Sequence, residues 1–185
     1  IGTNALNTSQ TTTGEVAIGF EALKAASSAG YNVAVGYQAA TAVTSAIGVV
    51  VMGYQAGDAI TTGDTNICMR GFSMDGGAGK TGYGGTHIGH AGHRTSTSGN
   101  FNSSMGIDTF KNPTTGAANT CLGAGSGNVI TTGSENTLVG RTAGVAISTG
   151  NNNVCVGNGT GNTGVTPGGG ISTVSNRIIL GNTSS

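Results

Sequence analysis

Three stretches decide the fold: Val16-Ala17-Ile18-Gly19-Phe20-Glu21-Ala22, Val33-Ala34-Val35-Gly36-Tyr37-Gln38-Ala39 and Val50-Val51-Met52-Gly53-Tyr54-Gln55-Ala56. Each stands 17 residues after the one before, and self-similarity at a fixed period of this kind marks stacked repeats. The apolar-glycine pair that anchors them begins at Ile1-Gly2 and returns at Ile18-Gly19, Val35-Gly36 and Met52-Gly53. The next step reaches Met69, but Arg70 follows where glycine is expected. Two inserted residues carry the frame to Ile88-Gly89, and the period of 17 resumes at Met105, Leu122, Val139 and Val156. A stretched step of 24 ends at Leu180-Gly181. Eleven copies fill the chain, which reads as a regular array over 1–157, irregular at 70–89, and a stretched terminal coil over 158–185.

Aligning the copies on that glycine shows what each position demands. The residue before it is apolar in every copy, and two residues earlier stand Val16, Val33, Val50, Ile67, Val154 and Ile178. Spacing of two puts both side chains on one face of a short strand, and this reading turns that face inward. A charge at Val139 is then expected to prevent folding. Between the two rows lie Ala17, Ala34, Val51, Cys68, Ser104, Cys121, Leu138, Cys155 and Ile179, which the same reading turns outward. Three residues after the glycine only small residues occur, from Ala5 and Ala22 to Thr160 and Ser184, as close packing requires. Four residues before it Asn32, Asn66, Asn102, Asn119, Asn136 and Asn153 recur, placed to hydrogen-bond along a ladder. A second glycine (Gly63, Gly82, Gly99, Gly116, Gly133, Gly150) follows a Thr/Ser pair and reads as a second turn. Two turns per copy leave room for two strands of about five residues. The expected fold is therefore all-β: a parallel β-solenoid or β-roll of about eleven coils, each about 4.8 Å from the next.

Composition excludes much else. Only 8% of the residues are charged, seven basic against seven acidic, so no basic face awaits nucleic acid. Glycine is 36 of 185 residues but has no three-residue period, which excludes collagen. No apolar run approaches the ~18 residues of a membrane span, and no signal peptide opens the chain. Cys68, Cys121 and Cys155 are widely spaced and form no Cys-x-x-Cys pair. They share one repeat position and read as small interface residues. A coil with two or three inward apolar residues has a thin margin against the cost of ordering it, about 1–2 kcal/mol per residue. A second buried face is therefore expected, supplied by partner chains in a homotrimer.

The passages at Val16–Ala22 and Val33–Ala39 resemble two groups of proteins. One is the head repeat of trimeric autotransporter adhesins, and the other is the longer Gly-Tyr-Gln-Ala repeat of viral and phage tail fibres. The resemblance covers nearly the whole chain. It implies a left-handed parallel β-roll, association of three chains, and a structural or attachment role in a virion tail fibre or spike. Its implied partners are the chain itself, other fibre proteins and a host-cell surface receptor such as a glycan. A bacterial cell-surface adhesin head is the alternative. The autotransporter repeat is nearer 14 residues, and the 17 here favours the viral group. The final segment, Asn176 to Ser185, resembles the one that precedes the self-cleaving chaperone of phage fibres. That implies a processed end near Ser185, and Ile1, inside a repeat, reads as the start of a fragment.

Chemistry is sparse in the sequence. His87, His90 and His93 fall in one copy, and in a trimer copies of one histidine could meet at an axis around a metal. They occupy different repeat positions, so surface or interface packing is the stronger reading, and no metal or other cofactor is expected. Gly77-Ala78-Gly79-Lys80-Thr81-Gly82 matches a dinucleotide fingerprint but lacks a βαβ setting. Lys80 and Thr81 are instead read as the Thr/Ser turn position. No nucleophile-base-acid set recurs, so no enzyme is expected. The irregular copy, with Arg70, Lys80, Tyr83, His90, His93 and Arg94, is the candidate binding region, because loops on a repeat scaffold carry contacts. Phe20, Tyr37 and Tyr54 read as packing or a sugar-binding strip, and the rows of Thr and Ser raise an ice-binding solenoid as a further alternative.

Overall fold

A computed structural model of the chain describes residues 1–8, 11–74, 79–93, 97–162 and 172–181. It is a parallel β-solenoid. Ten strands of three residues each stack in sequence order: β1 Val16–Ile18, β2 Val33–Val35, β3 Val50–Met52, β4 Ile67–Met69, β5 Thr86–Ile88, β6 Ser103–Met105, β7 Thr120–Leu122, β8 Thr137–Val139, β9 Val154–Val156 and β10 Ile178–Leu180. Equivalent repeat positions pair throughout, as in Val16 with Val33 and Thr137 with Val154. The inserted copy keeps this register, with Ile67 opposite Thr86, and the stretched step rejoins it at Ile178 opposite Val154. Nine steps of about 4.8 Å give a sheet roughly 43 Å long. No helix among the described residues is long and apolar enough to cross a membrane.

The structure reverses the expected facing of the strands. Every strand buries its middle residue and leaves the two flanking ones partly or fully exposed. Ala34, Val51, Cys68, Cys121, Leu138 and Cys155 are fully buried, while Ile18, Met52 and Met105 are 44%, 44% and 51% exposed. The cysteines are thus interior residues, unpaired, and not interface residues. The reason is the width of the coil. A turn of 17 residues encloses a narrow interior, with room for one residue of each strand and none for the two that flank it.

Within that interior, volumes compensate from row to row. The inward strand residue faces the residue four after the repeat glycine: Cys68 goes with Met74 and Ser104 with Phe110, but Val51 goes with Gly57 and Leu138 with Gly144. A Cβ on Gly144 would lie 2.5 Å from Leu138 Cδ1. In these four coils one member of the pair is large and the other small, whereas Ala34 with Ala40, Cys121 with Gly127 and Cys155 with Gly161 pair two small residues.

The second expected strand is not formed. That side of the coil carries isolated bridges only, at Thr13–Gly30, Gly30–Ile47 and Ile60–Lys80. The second glycine row is not a left-handed turn either. From Gly63 to Gly133 a Cβ on each would collide with the carbonyl of the next glycine in the row, and one on Gly150 would meet the Val174 carbonyl. The repeat glycine has both constraints, since Gly36 sits at φ +143 and faces the Gly53 carbonyl. The asparagine ladder forms as expected. Asn102 Oδ1 accepts from the backbone N–H and side-chain amide of Asn119 (2.9 and 3.1 Å), and the pattern repeats through Asn136 to Asn153.

Substitutions should sort by this corrected register. Leu138→Asp places an unpaired charge in the dry interior, costs several kcal/mol and should abolish the folded circular-dichroism spectrum. Glu135→Gln, at an exposed left-handed position, should leave the melting temperature within a degree or two.

Candidate functional site

The irregular copy departs from the repeat in several rows at once, and the departures meet inside the rod. The inserted residues are absorbed before Lys80: the Thr61 hydroxyl donates to the Lys80 carbonyl 19 residues on, and the next rung, Thr81 to Thr97, takes only 16. The Lys80 carbonyl thus keeps the backbone place of the Thr/Ser row, accepting from Thr61 as Thr61 accepts from Thr44, but its side chain is buried. The Lys80 N–H donates to the Ala59 carbonyl, the residue bridges Ile60, and it continues the interior row of Ala26, Val43 and Ile60. The lysine is 2% exposed, and its Nζ donates to the His93 carbonyl at 3.3 Å.

His87 and His93 lie beside it. His87 is the inward residue of β5, between Cys68 of β4 and Ser104 of β6. His93 takes the position held by Met74 and Phe110 in the adjoining coils. Their ring centroids are 4.0 Å apart, and the His93 ring continues onto Phe110 at 5.3 Å. His87 Nδ1 is 2.9 Å from the Ser104 hydroxyl, whereas His87 Nε2 and both nitrogens of His93 make no hydrogen bond within the chain.

Here two large side chains share a coil, against the compensation seen elsewhere. Gly85 makes the room. It stands where the ladder has asparagine, and a Cβ there would lie 2.5 Å from His87 Nε2. Gly92 stands in the row of Ala, Ser and Thr, and a Cβ there would press on the Thr109 carbonyl at 3.2 Å. The histidine pair is thus fitted, with the asparagine ladder interrupted to admit it.

Burial governs the chemistry of the cluster. It pushes His87 down to about 3 and His93 well below the usual imidazole range, with the Lys80 charge lowering both further. Burial likewise holds the Cys68 thiol up at about 12. These are neutral groups sealed from solvent, so they meet no exchanging substrate while the rod stays closed.

The other expected site residues scatter. His90 is exposed, its ring edge-on to Phe72 at 5.7 Å, so the three histidines do not converge. Among the described residues no group of three His, Cys, Asp or Glu is placed to hold a metal ion. Arg70 is exposed at φ +81, and Tyr83 is exposed with its ring edge-on to Phe101. Arg94, and Gly77-Ala78 of the glycine motif, lie outside the described residues. On the surface Phe20, Tyr37 and Tyr54 stack face to face at 5.2 and 5.3 Å. Their faces are spent on one another, so mainly edges are offered outward and packing accounts for the strip. The threonine row is also self-engaged: Thr97, Thr114 and Thr131 hydroxyls each donate to the carbonyl one coil on, at 3.1–3.2 Å.

No protein-family model matches the chain, nor does any curated protein or solved structure.

The fit between Gly85 and His87 predicts a strong coupling. Gly85→Asn alone should lower the denaturation midpoint sharply by clashing with the imidazole. His87→Cys alone should lower it by opening a void, which typically costs about 2–5 kcal/mol for a large-to-small change. The double variant restores the regular rung and should be more stable than either single one. Additive losses in urea denaturation would show that the two positions do not share this space.

Proposed function

We propose that this chain is a structural rod of a trimeric fibre, three copies packing in parallel through their strand faces, with the shaft carrying attachment to a host surface. The observation that supports this reading is the outward face of the ten-strand sheet. It presents two rows, Ile18, Val35, Met52, Met69, Ile88, Met105, Leu122, Val139, Val156 and Leu180 beside Val16, Val33, Val50, Ile67, Thr86, Ser103, Thr120, Thr137, Val154 and Ile178. Not one of these residues is charged. A strand of three residues is about 10 Å long, so the face measures roughly 400 Å², as large as the biggest patches that monomers leave wet. An uncharged face of this size is of the kind that marks a protein–protein contact. Burying it is worth about 10 kcal/mol per chain at 25 cal/mol per Å², which strengthens a coil whose own interior is thin.

Three is the number that the fibre repeats imply, and parallel packing keeps equal rungs at equal heights. Viral fibre and bacterial adhesin heads both use such a shaft; the period of 17 favours the former. Light scattering should give three times the 17.9 kDa chain mass. Val139→Asp, on the outward face, should disperse the assembly, in contrast to the loss of the fold expected for Leu138→Asp. A stable, soluble wild-type monomer would overturn the proposal.

A further inference from the structure

The apolar interior is not continuous. One cluster runs from Ala17 to Met74 and a second from Phe110 to Ile179. Between them lie Lys80, His87 and His93, the buried basic side chains among the described residues. In a solenoid each coil contacts only its neighbours, so the energy of a local opening depends on the rungs at that point and not on the whole rod.

We propose that the coils around β5 and β6 form an acid-opened seam, at which the His87–His93 pair takes up protons and parts the rod into two folded halves. The geometry supplies the mechanism. The rings lie against each other, 4.0 Å between centroids, and the Lys80 amine reaches the His93 backbone. Among the described residues the titratable and charged groups facing them are Lys80 and, from β4, Cys68; Ser73, Ser104 and Asn66 add only neutral partners. The thiol stays protonated throughout the acid range. A proton added to either ring therefore sets a charge in a dry space beside its neighbour and the lysine.

The direction follows from linkage. Both imidazoles bind protons more weakly in the closed rod than in an opened segment, where the ordinary value of about 6.5 applies. The closed form is at full strength above that value and loses stability as pH falls toward 3, the folded value of His87. Each ring shifts the opening equilibrium by up to about tenfold per pH unit over this window. The flanking clusters hold no such group and stay shut.

Amide hydrogen exchange of the full chain, read by mass spectrometry from pH 7.5 to 4 and corrected for the intrinsic rate, tests this. Protection in β5 and β6 should fall by up to a hundredfold per pH unit below about 6.5 if both rings contribute. Protection in β2, β3, β8 and β9 should change little. The variant Gly85→Asn/His87→Cys/His93→Phe, which uses residues found at the same positions in neighbouring coils, should abolish the dependence. Uniform loss along the rod, pH-independent protection of β5, or a folded variant that still opens in acid would each overturn the proposal. If the variant fails to fold, the wild-type map alone decides. The outcome is independent of oligomeric state, because both rings lie within a single coil.

Discussion

Everything in this rod depends on how closely one coil can approach the next. At the repeat glycine the carbonyl of one turn occupies the space that a Cβ of its neighbour would need, and the second glycine row is as tight wherever glycine fills it, with Ala29, Ala46 and Val174 as its other members. The repeat glycine adds a φ near +135, which other residues reach only at a cost. Arg70, the exception, sits at φ +81, and a Cβ on Gly53 would press on its backbone at 2.8 Å. Once the backbone is stacked this tightly, the hydrogen bonds between coils are set. The side chains then fall into rows whose members touch their own kind.

Rows turn local chemistry into ladders. Asparagine serves the interior because its amide can donate to a backbone carbonyl while its oxygen accepts from the next rung, as Asn119 does between Gly133 and Asn136. Threonine serves the corner by the same logic with one donor. A ladder also constrains what may replace a member. Val49 removes one rung's amide and is buried, its N–H still donating to the Asn32 Oδ1. Gly85 removes another, and the space goes to an imidazole.

Much of this was legible in the residues. The period, the strand centred two residues before the glycine, the asparagine ladder and the small row after the glycine follow from spacing alone. The facing of the strand did not, because both of its faces are apolar. Ile18 and Met52 look like core residues by hydrophobicity, and Ala17 and Cys68 look like the surface by size. What decides is the width of a 17-residue loop, a property of the closed coil that no single strand displays. The interior cluster was hidden for a related reason. A reading by residue type groups His87, His90 and His93, whereas a reading by row separates His90 at once and joins His87 with His93. The signal was present in one glycine: Gly85 shrinks a position that neighbouring coils fill, two residues before His87.

That coincidence bears on how such a cluster persists. Gly85 and His87 are mutually dependent, since the imidazole fills space that an asparagine at position 85 would need. Reverting Gly85 alone toward its row worsens the fit of His87. The array would be more stable with a regular rung at this place, because buried imidazoles without partners are costly. A solenoid can bear that cost where a globular core could not. Its stability is a sum over neighbouring rungs, and the two apolar clusters on either side close independently of the weak one. One row of the outer face shows no such interruption: Ile88 and Met105 carry its apolar stripe past the polar interior, while the row beside it turns to Thr86 and Ser103. The interior is thus irregular at a place where that outer row stays regular, and whatever covers the row meets the same stripe over the weak rungs as over the strong ones.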